Sequence, residues 1–175
     1  MKFNVFTQAQ EFEDKAKPFL TKHEDVYSLF YGVLQGIKAG RYENPFMATI
    51  EVNDRIVALF QMTPPHPLNL IIIDETQMDD ILTLAVRELS YRKLLIQSAV
   101  GVKPVVTAFS EKWQETSKCK ARLLMDQGLY RLDHVDRSLD KSPGSWRYAR
   151  KEEAPLLAHW FNAFEKDIGL KSSPM

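Results

Sequence analysis

The sequence predicts an α/β (α+β) fold: a mixed β-sheet with helices on both faces, followed by a C-terminal strand-helix extension. Three observations carry this. The spacing of apolar residues switches repeatedly between the helical and the strand period. Leu68–Asp74 is an apolar run closed by polar residues, the pattern of a strand buried on both faces. Strand and helix patterns alternate through the middle of the chain, which suits a sheet held between helical layers.

Each element has its own signal. Phe3, Val5 and Phe6 make a short first strand, and Thr7 is placed to cap the helix after it. Phe12, Ala16, Phe19 and Leu20 recur at helical spacing, with Pro18 weakening or bending that helix. Val26, Leu29, Phe30, Val33, Leu34 and Ile37 form one stripe of a second helix, which Gly40 stops. Phe46, Ala48 and Ile50 alternate with Met47, Thr49 and Glu51; Asn53-Asp54 is a turn pair, and Ile56, Ala58 and Phe60 return. This is a hairpin, ended by Thr63-Pro64-Pro65-His66-Pro67 because three prolines cannot continue a ladder. After Leu68–Asp74, Thr76 caps a helix with Asp79 in its first turn and Ile81, Leu82, Ala85 and Leu89 on its buried face. Leu94–Val100 reads as a strand ending at Gly101. Pro104 opens a helix whose stripe is Val105, Ala108, Phe109, Trp113 and Thr116. Residues 119–125 and 129–135 read as two strand segments broken at Gln127-Gly128.

Ser142-Pro143-Gly144-Ser145 marks a boundary, giving a domain over 1–135, a linker over 136–145 and a second beginning over 146–175. In that last stretch Trp146–Ala149 reads as a short strand. The helix over 152–168 carries Leu156, Leu157, Trp160, Phe161, Phe164 and Ile168 on one face. Burying each such side chain stabilises by about 1.5–3 kcal/mol. The face is therefore expected to find cover, and Trp160, Phe161 and Phe164 are the candidate interface with a second copy or another partner.

Composition excludes several classes. Lys plus Arg and Asp plus Glu are both 23, so there is no basic excess of the kind nucleic-acid binders carry. Lys118, Lys120 and Arg122, with Tyr91-Arg92-Lys93, are read as solvated positions. The apolar fraction of 45% is that of a globular chain. The single cysteine, Cys119, forbids an intrachain disulfide, and the 4 histidines are too scattered for a zinc site. The start of the chain lacks a signal-peptide core and the apolar runs are short, so a cytoplasmic protein without membrane contact is expected.

Isolated reactive residues have ordinary readings. Gly32, Gly36 and Gly40 lie in or at the end of a helix, not at a turn entering one, so close packing is expected rather than a phosphate loop. Asp74, Glu75, Asp79 and Asp80 suit a helix dipole better than a metal, and no metal site is expected. Cys119 falls on a predicted strand beside two lysines and reads as a buried or half-buried structural thiol. Tyr130 reads as a strand residue packing on its neighbours, and His23, His134 and His159 as surface or helix-end residues. Thr63–Pro67 is a stiff connector or a rigid pocket wall with His66 as a base.

A resemblance adds to this reading. Tyr42–Thr63 followed by Pro64-Pro65, Leu68–Ile73, Gly101-Val102, the Phe109/Trp113 helix and Met125–Leu132 together resemble the GNAT acetyltransferase superfamily. The likeness is to the degenerate N-terminal half of its two-part bacterial members. Trp146–Glu153 with Trp160 and Phe164 resembles the opening strand and helix of a catalytic GNAT half. The resemblance implies transfer of acetyl from acetyl-CoA to a small-molecule amine, by direct attack of the amine on the thioester. It also implies that the acetyl-CoA-binding half is missing from this chain. The family's pyrophosphate loop, Gln/Arg-x-x-Gly-x-Gly/Ala between a strand and a helix, has no match here: after Leu68–Ile73 the sequence is Asp74-Glu75-Thr76-Gln77-Met78-Asp79-Asp80, acidic and free of glycine, and the resemblance puts the loop of complete relatives after residue 175. This chain is therefore expected to bind no acetyl-CoA and to have no assignable catalytic residue. Thr63, Pro64, Pro65, His66 and Gly101, at predicted sheet ends, would form one wall of the acceptor cleft. The alternative is a non-catalytic dimerisation or ligand-binding module.

Overall fold

The computed structural model describes residues 1–138 and 144–169. They fall within two compact units, Met1–Arg131 and Leu132–Met175. Of the expected linker, 139–143 lie outside the described residues, as do the last six positions, 170–175.

The first unit is a five-stranded sheet in chain order, β1 (Lys2–Phe6), β2 (Phe46–Val52), β3 (Arg55–Met62), β4 (Leu68–Ile72) and β5 (Ala99–Val100). The first three junctions are antiparallel and β4–β5 is parallel, so the sheet is mixed. Between β1 and β2 run α1 (Ala9–Leu20) and α2 (Glu24–Lys38); between β4 and β5 runs α3 (Met78–Tyr91); α4 (Lys103–Ser117) follows β5. This is the expected mixed sheet with helices on both faces.

Strand alternation sorts the side chains into two cores. Ala48, Phe60 and Leu70 stand side by side across β2, β3 and β4 and face Ile81, Leu82, Ala85, Leu89, Val105 and Phe109 of α3 and α4. On the other side Met47, Leu59 and Ile71 pack with Phe12, Ala16 and Leu20 of α1 and Phe30, Leu34 and Ile37 of α2. The hairpin turn is Asn53-Asp54, with both φ positive (48° and 61°), which matches the twist of the flanking strands. Pro18 sits inside α1 near its end, and a single 3-10 turn, Thr21–His23, leads into α2. Helix α2 ends at Gly40, whose φ is +67°. The Gly40 N–H reaches the Ile37 carbonyl at 2.9 Å and the Arg41 N–H the Gly36 carbonyl at 3.0 Å, so two orphan carbonyls are satisfied.

Several expectations are corrected. Thr7 does not cap α1: the N-cap is Gln8, and no side chain bonds there. Thr76 does not cap α3 either; Asp74 caps a 3-10 turn, Glu75–Gln77, that precedes it. The strand expected over Leu94–Val100 shrinks to Ala99–Val100, because Lys93 turns the chain at φ +54° and Leu94 and Ile96 pack on the core instead. No strand forms over 119–125 or 129–135. Alternation needs a neighbouring edge to pair with, and β5 offers only two residues of it. Leu123, Leu124, Leu129 and Leu132 are therefore exposed, and so is Tyr130, which packs in no strand. Cys119 is exposed rather than buried, with Sγ 2.9 Å from Ser117 Oγ. Of the three glycines spaced by four, only Gly36 packs closely, its hydrogen facing the Tyr42 ring where a Cβ would approach to 2.6 Å.

In the second unit Trp146–Ala149 forms no paired strand. The expected helix is present as α5 (Ala154–Asp167), led by a 3-10 turn, Lys151–Glu153. None of its residues is buried. Among the described residues no helix is long and apolar enough to cross a membrane.

Candidate functional site

Parallel strands joined through a helix leave a crevice at their carboxyl ends, where open α/β sheets commonly receive ligands. Here the β4–β5 ladder consists of Leu68 with Ala99 and Asn69 with Val100, preceded by the Leu68 N–H bonding to the Ser98 carbonyl at 2.9 Å. Beyond it β4 continues to Ile72, while β5 stops and α4 begins at Lys103. Gly101 lies where the strands part. A Cβ there would stand 2.7 Å from the Leu70 carbonyl oxygen and 3.2 Å from Val106 Cγ2, so only glycine lets the end of β5 rest on β4.

The turn from β4 to α3 follows Ile72 and lies against the β2–β3 hairpin, where the Asp74 N–H reaches the Val57 carbonyl at 3.3 Å. One Asp74 carboxylate oxygen, Oδ1, accepts the Thr76 N–H at 3.1 Å and the Thr76 hydroxyl at 2.5 Å; the other, Oδ2, accepts Gln77 Nε2 at 2.7 Å. The Thr76 hydroxyl above all, then Gln77 and the Thr76 amide, hold the Asp74 carboxyl below its ordinary range. It is ionised at neutral pH. The acidic charge extends outward: Tyr27 on α2 is pushed up, first by burial and then by the charge of Glu75. Asp79 is balanced by Lys112 at 2.8 Å.

The charge of this turn disfavours a bound phosphate. A phosphate at a helix start needs free amide N–H groups and no competing anion. Here a carboxylate already takes the leading N–H, and Glu75 and Asp80 add negative charge in the same stretch.

The other expected wall residues stand elsewhere. Thr63 is buried and Pro64–Pro67 are exposed, at the sheet end where β4 begins, away from the opening at Gly101. The His66 N–H donates to the Thr63 carbonyl at 2.9 Å and its ring meets Tyr42 edge-on at 6.0 Å. That ring makes no hydrogen bond among the described residues, so it has no partner of the kind a general base uses. A hollow of about 480 Å³ is lined by Val52, Asn53, Arg55, Val57, Asp74 and Gln77, and another of about 530 Å³ runs between α3 and α4 past Arg87, Tyr91 and Lys112. Neither is lined by Thr63–Pro67 or Gly101. Among the described residues no group of His, Cys, Asp and Glu is arranged to hold a metal ion.

Buried polar groups on the α1/α2 side escape a reading of the sequence. Glu13 accepts Gln35 Nε2 at 2.8 Å and pairs with Lys38, and Lys38 chiefly, then Gln35, hold its carboxyl below the ordinary range. Glu51 is pushed up by burial, but Lys15 at 2.9 Å and Thr49 outweigh this and leave it lowered. Gln61 donates to the Phe30 carbonyl at 2.7 Å, and its own Oε1 is buried without a partner. The one signal that could have found them is a polar residue at each point where strand alternation meets an amphipathic helix. No family model, curated protein or solved structure matches the chain.

Proposed function

We propose that the chain is a GNAT-related acetyl-transfer protein whose residues 1–131 do not hold the cofactor and serve instead as a scaffold with an acceptor-side wall. The observation that supports this reading is the self-capped acidic turn that follows β4. The resemblance puts a phosphate loop between a strand and a helix, yet here Asp74 occupies the N–H a phosphate would need. The negative charge of that turn suits an approaching small-molecule amine and opposes a nucleotide phosphate. The chain's own residues then have two tasks: Gly101 keeps the strands in close register, and Asp74 with Glu75 sets the sign of the field.

The test is a calorimetric titration of acetyl-CoA into the 175-residue chain and into a variant with Asp74→Gly and Thr76→Gly. The parent is expected to bind nothing. The variant, with a freed amide and one acid fewer, is expected to show weak binding that competes with inorganic pyrophosphate. Micromolar binding by the parent would overturn the scaffold reading. Failure of the opened turn to bind any phosphate would remove its link to the acetyltransferase fold.

A further inference from the structure

We propose that the hollow between the β2–β3 turn and the start of α3 is a binding site for a small amino acid, with Arg55 taking the carboxylate and Asp74 with Gln77 taking the ammonium. The hollow holds about 480 Å³ and is lined by Val52, Asn53, Arg55, Val57, Asp74 and Gln77. That volume lies in the range of small-molecule sites.

One extra residue in β3 builds it. Ile50 pairs with Ala58 and Glu51 with Ile56, so Val57 is a β-bulge. Strict alternation counted back from Ala58, which faces α3, would put Arg55 on the α1/α2 side. The bulge reverses this and re-aims the side chain. Ile56 packs toward α1 and α2, Val57 packs toward α3, and Arg55 pairs with Val52, which also packs toward α3. The Val57 carbonyl then takes the Ile73 N–H at 2.7 Å as well as that of Asp74, which fixes the acidic turn against the hairpin. A guanidinium and an ionised carboxylate thus line one hollow.

The two charges do not neutralise each other. Arg55 makes no ion pair or hydrogen bond among the described residues, and neither does the Asn53 side chain. Asp74 Oδ2 accepts only Gln77 Nε2, and Gln77 Oε1 accepts nothing, so each oxygen has room for a further donor. A ligand carrying both signs completes such a pair. Its ammonium brings three donors to the two oxygens, and its carboxylate matches the fork of the guanidinium. Val52 and Val57 offer apolar surface to the carbon chain between the two ends. Asp74 and Gln77 are half-buried and held in place, while Arg55 is exposed and keeps the freedom to close on the ligand.

The surrounding charge narrows the choice. Asp54 beside Arg55 and Glu75 beside Asp74 are exposed and form no ion pair among the described residues, and Asp80 adds a third acid; Lys112 balances only Asp79. The rim therefore leans negative. A free carboxylate is opposed by these acids, and a diamine meets Arg55 with one of its own charges. An amino acid satisfies both ends at once.

A backbone-amide NMR titration of the full chain tests this with γ-aminobutyrate, its isomer α-aminobutyrate, butylamine, butyrate and putrescine. No cofactor is added, so the result is independent of the acetyl-transfer reading. At least one aminobutyrate is expected to shift the Asn53, Arg55 and Gln77 amides saturably in the millimolar range. Butylamine should bind about 10-fold more weakly, the loss of one charge-assisted contact, and butyrate more weakly still. Arg55→Gln should lower aminobutyrate affinity to that of butylamine while leaving butylamine itself no weaker, and Arg55→Lys should recover part of the loss. Arg55 is exposed and unpaired among the described residues, so neither variant threatens the fold. No saturable shift with either aminobutyrate, putrescine binding as tightly as they do, or an affinity unchanged in Arg55→Gln would each overturn the proposal.

Discussion

Single residues decide two features of this molecule. Gly101 was legible as a strand end, but its reason was not: the Leu70 carbonyl that excludes a side chain is 31 positions away in the chain. Because that neighbour is backbone, Gly101→Ala must displace β4 or β5. We expect a loss of ~1–3 kcal/mol, read from urea denaturation. Glu13 showed only as a polar residue beside an apolar helix stripe, since nothing local marks an acid as the partner of Gln35 and Lys38. Its carboxyl titrates lower in the folded chain than the ordinary 4.5, so its stabilisation is present above that value and is lost as pH falls through the folded pKa. Glu13→Gln should therefore flatten the acid limb of stability below pH 4.5 relative to the parent, as measured by thermal melting at each pH.

At the scale of elements, the hairpin and the four helices of the first unit were readable because their determinants are local. Asn53-Asp54 fixes the turn, and Ile81, Leu82, Ala85 and Leu89 define the buried side of α3. The segments over 119–135 show the converse. They were read as strands on their apolar content, but a strand is defined by its neighbour, and no such neighbour pairs with them. Helix α5 was also legible, while the clasp at its start was not. Arg147 first, then the Arg150 amide, lowers Glu153 to about 2. That contribution is full above the ordinary 4.5 and fades as pH falls toward 2. Far-UV circular dichroism should show helix loss over that interval in the parent, and Glu153→Gln should show less helix at neutral pH and no such transition.

For the whole molecule, the fold class follows from the order of periods, and the chain-order sheet agrees with short connections between neighbouring strands. Among the described residues every buried apolar side chain lies between Phe12 and Phe109. A chain ending after Arg131 is therefore expected to unfold cooperatively with an unchanged denaturant midpoint; a clear drop would mean that the second unit supports the first.

The strand order has a consequence for the making of the protein. During synthesis β3 emerges beside β2, β4 beside β3, and β5 beside β4, each meeting an edge that is already in place. Only β1 must wait, for residues 47–51 to come back to it. The sheet and both helical layers are complete once Ser117 has left the ribosome. The exposed apolar residues from Leu123 to Val135 and on α5 appear only after that body is finished, when it has no open core left to trap them.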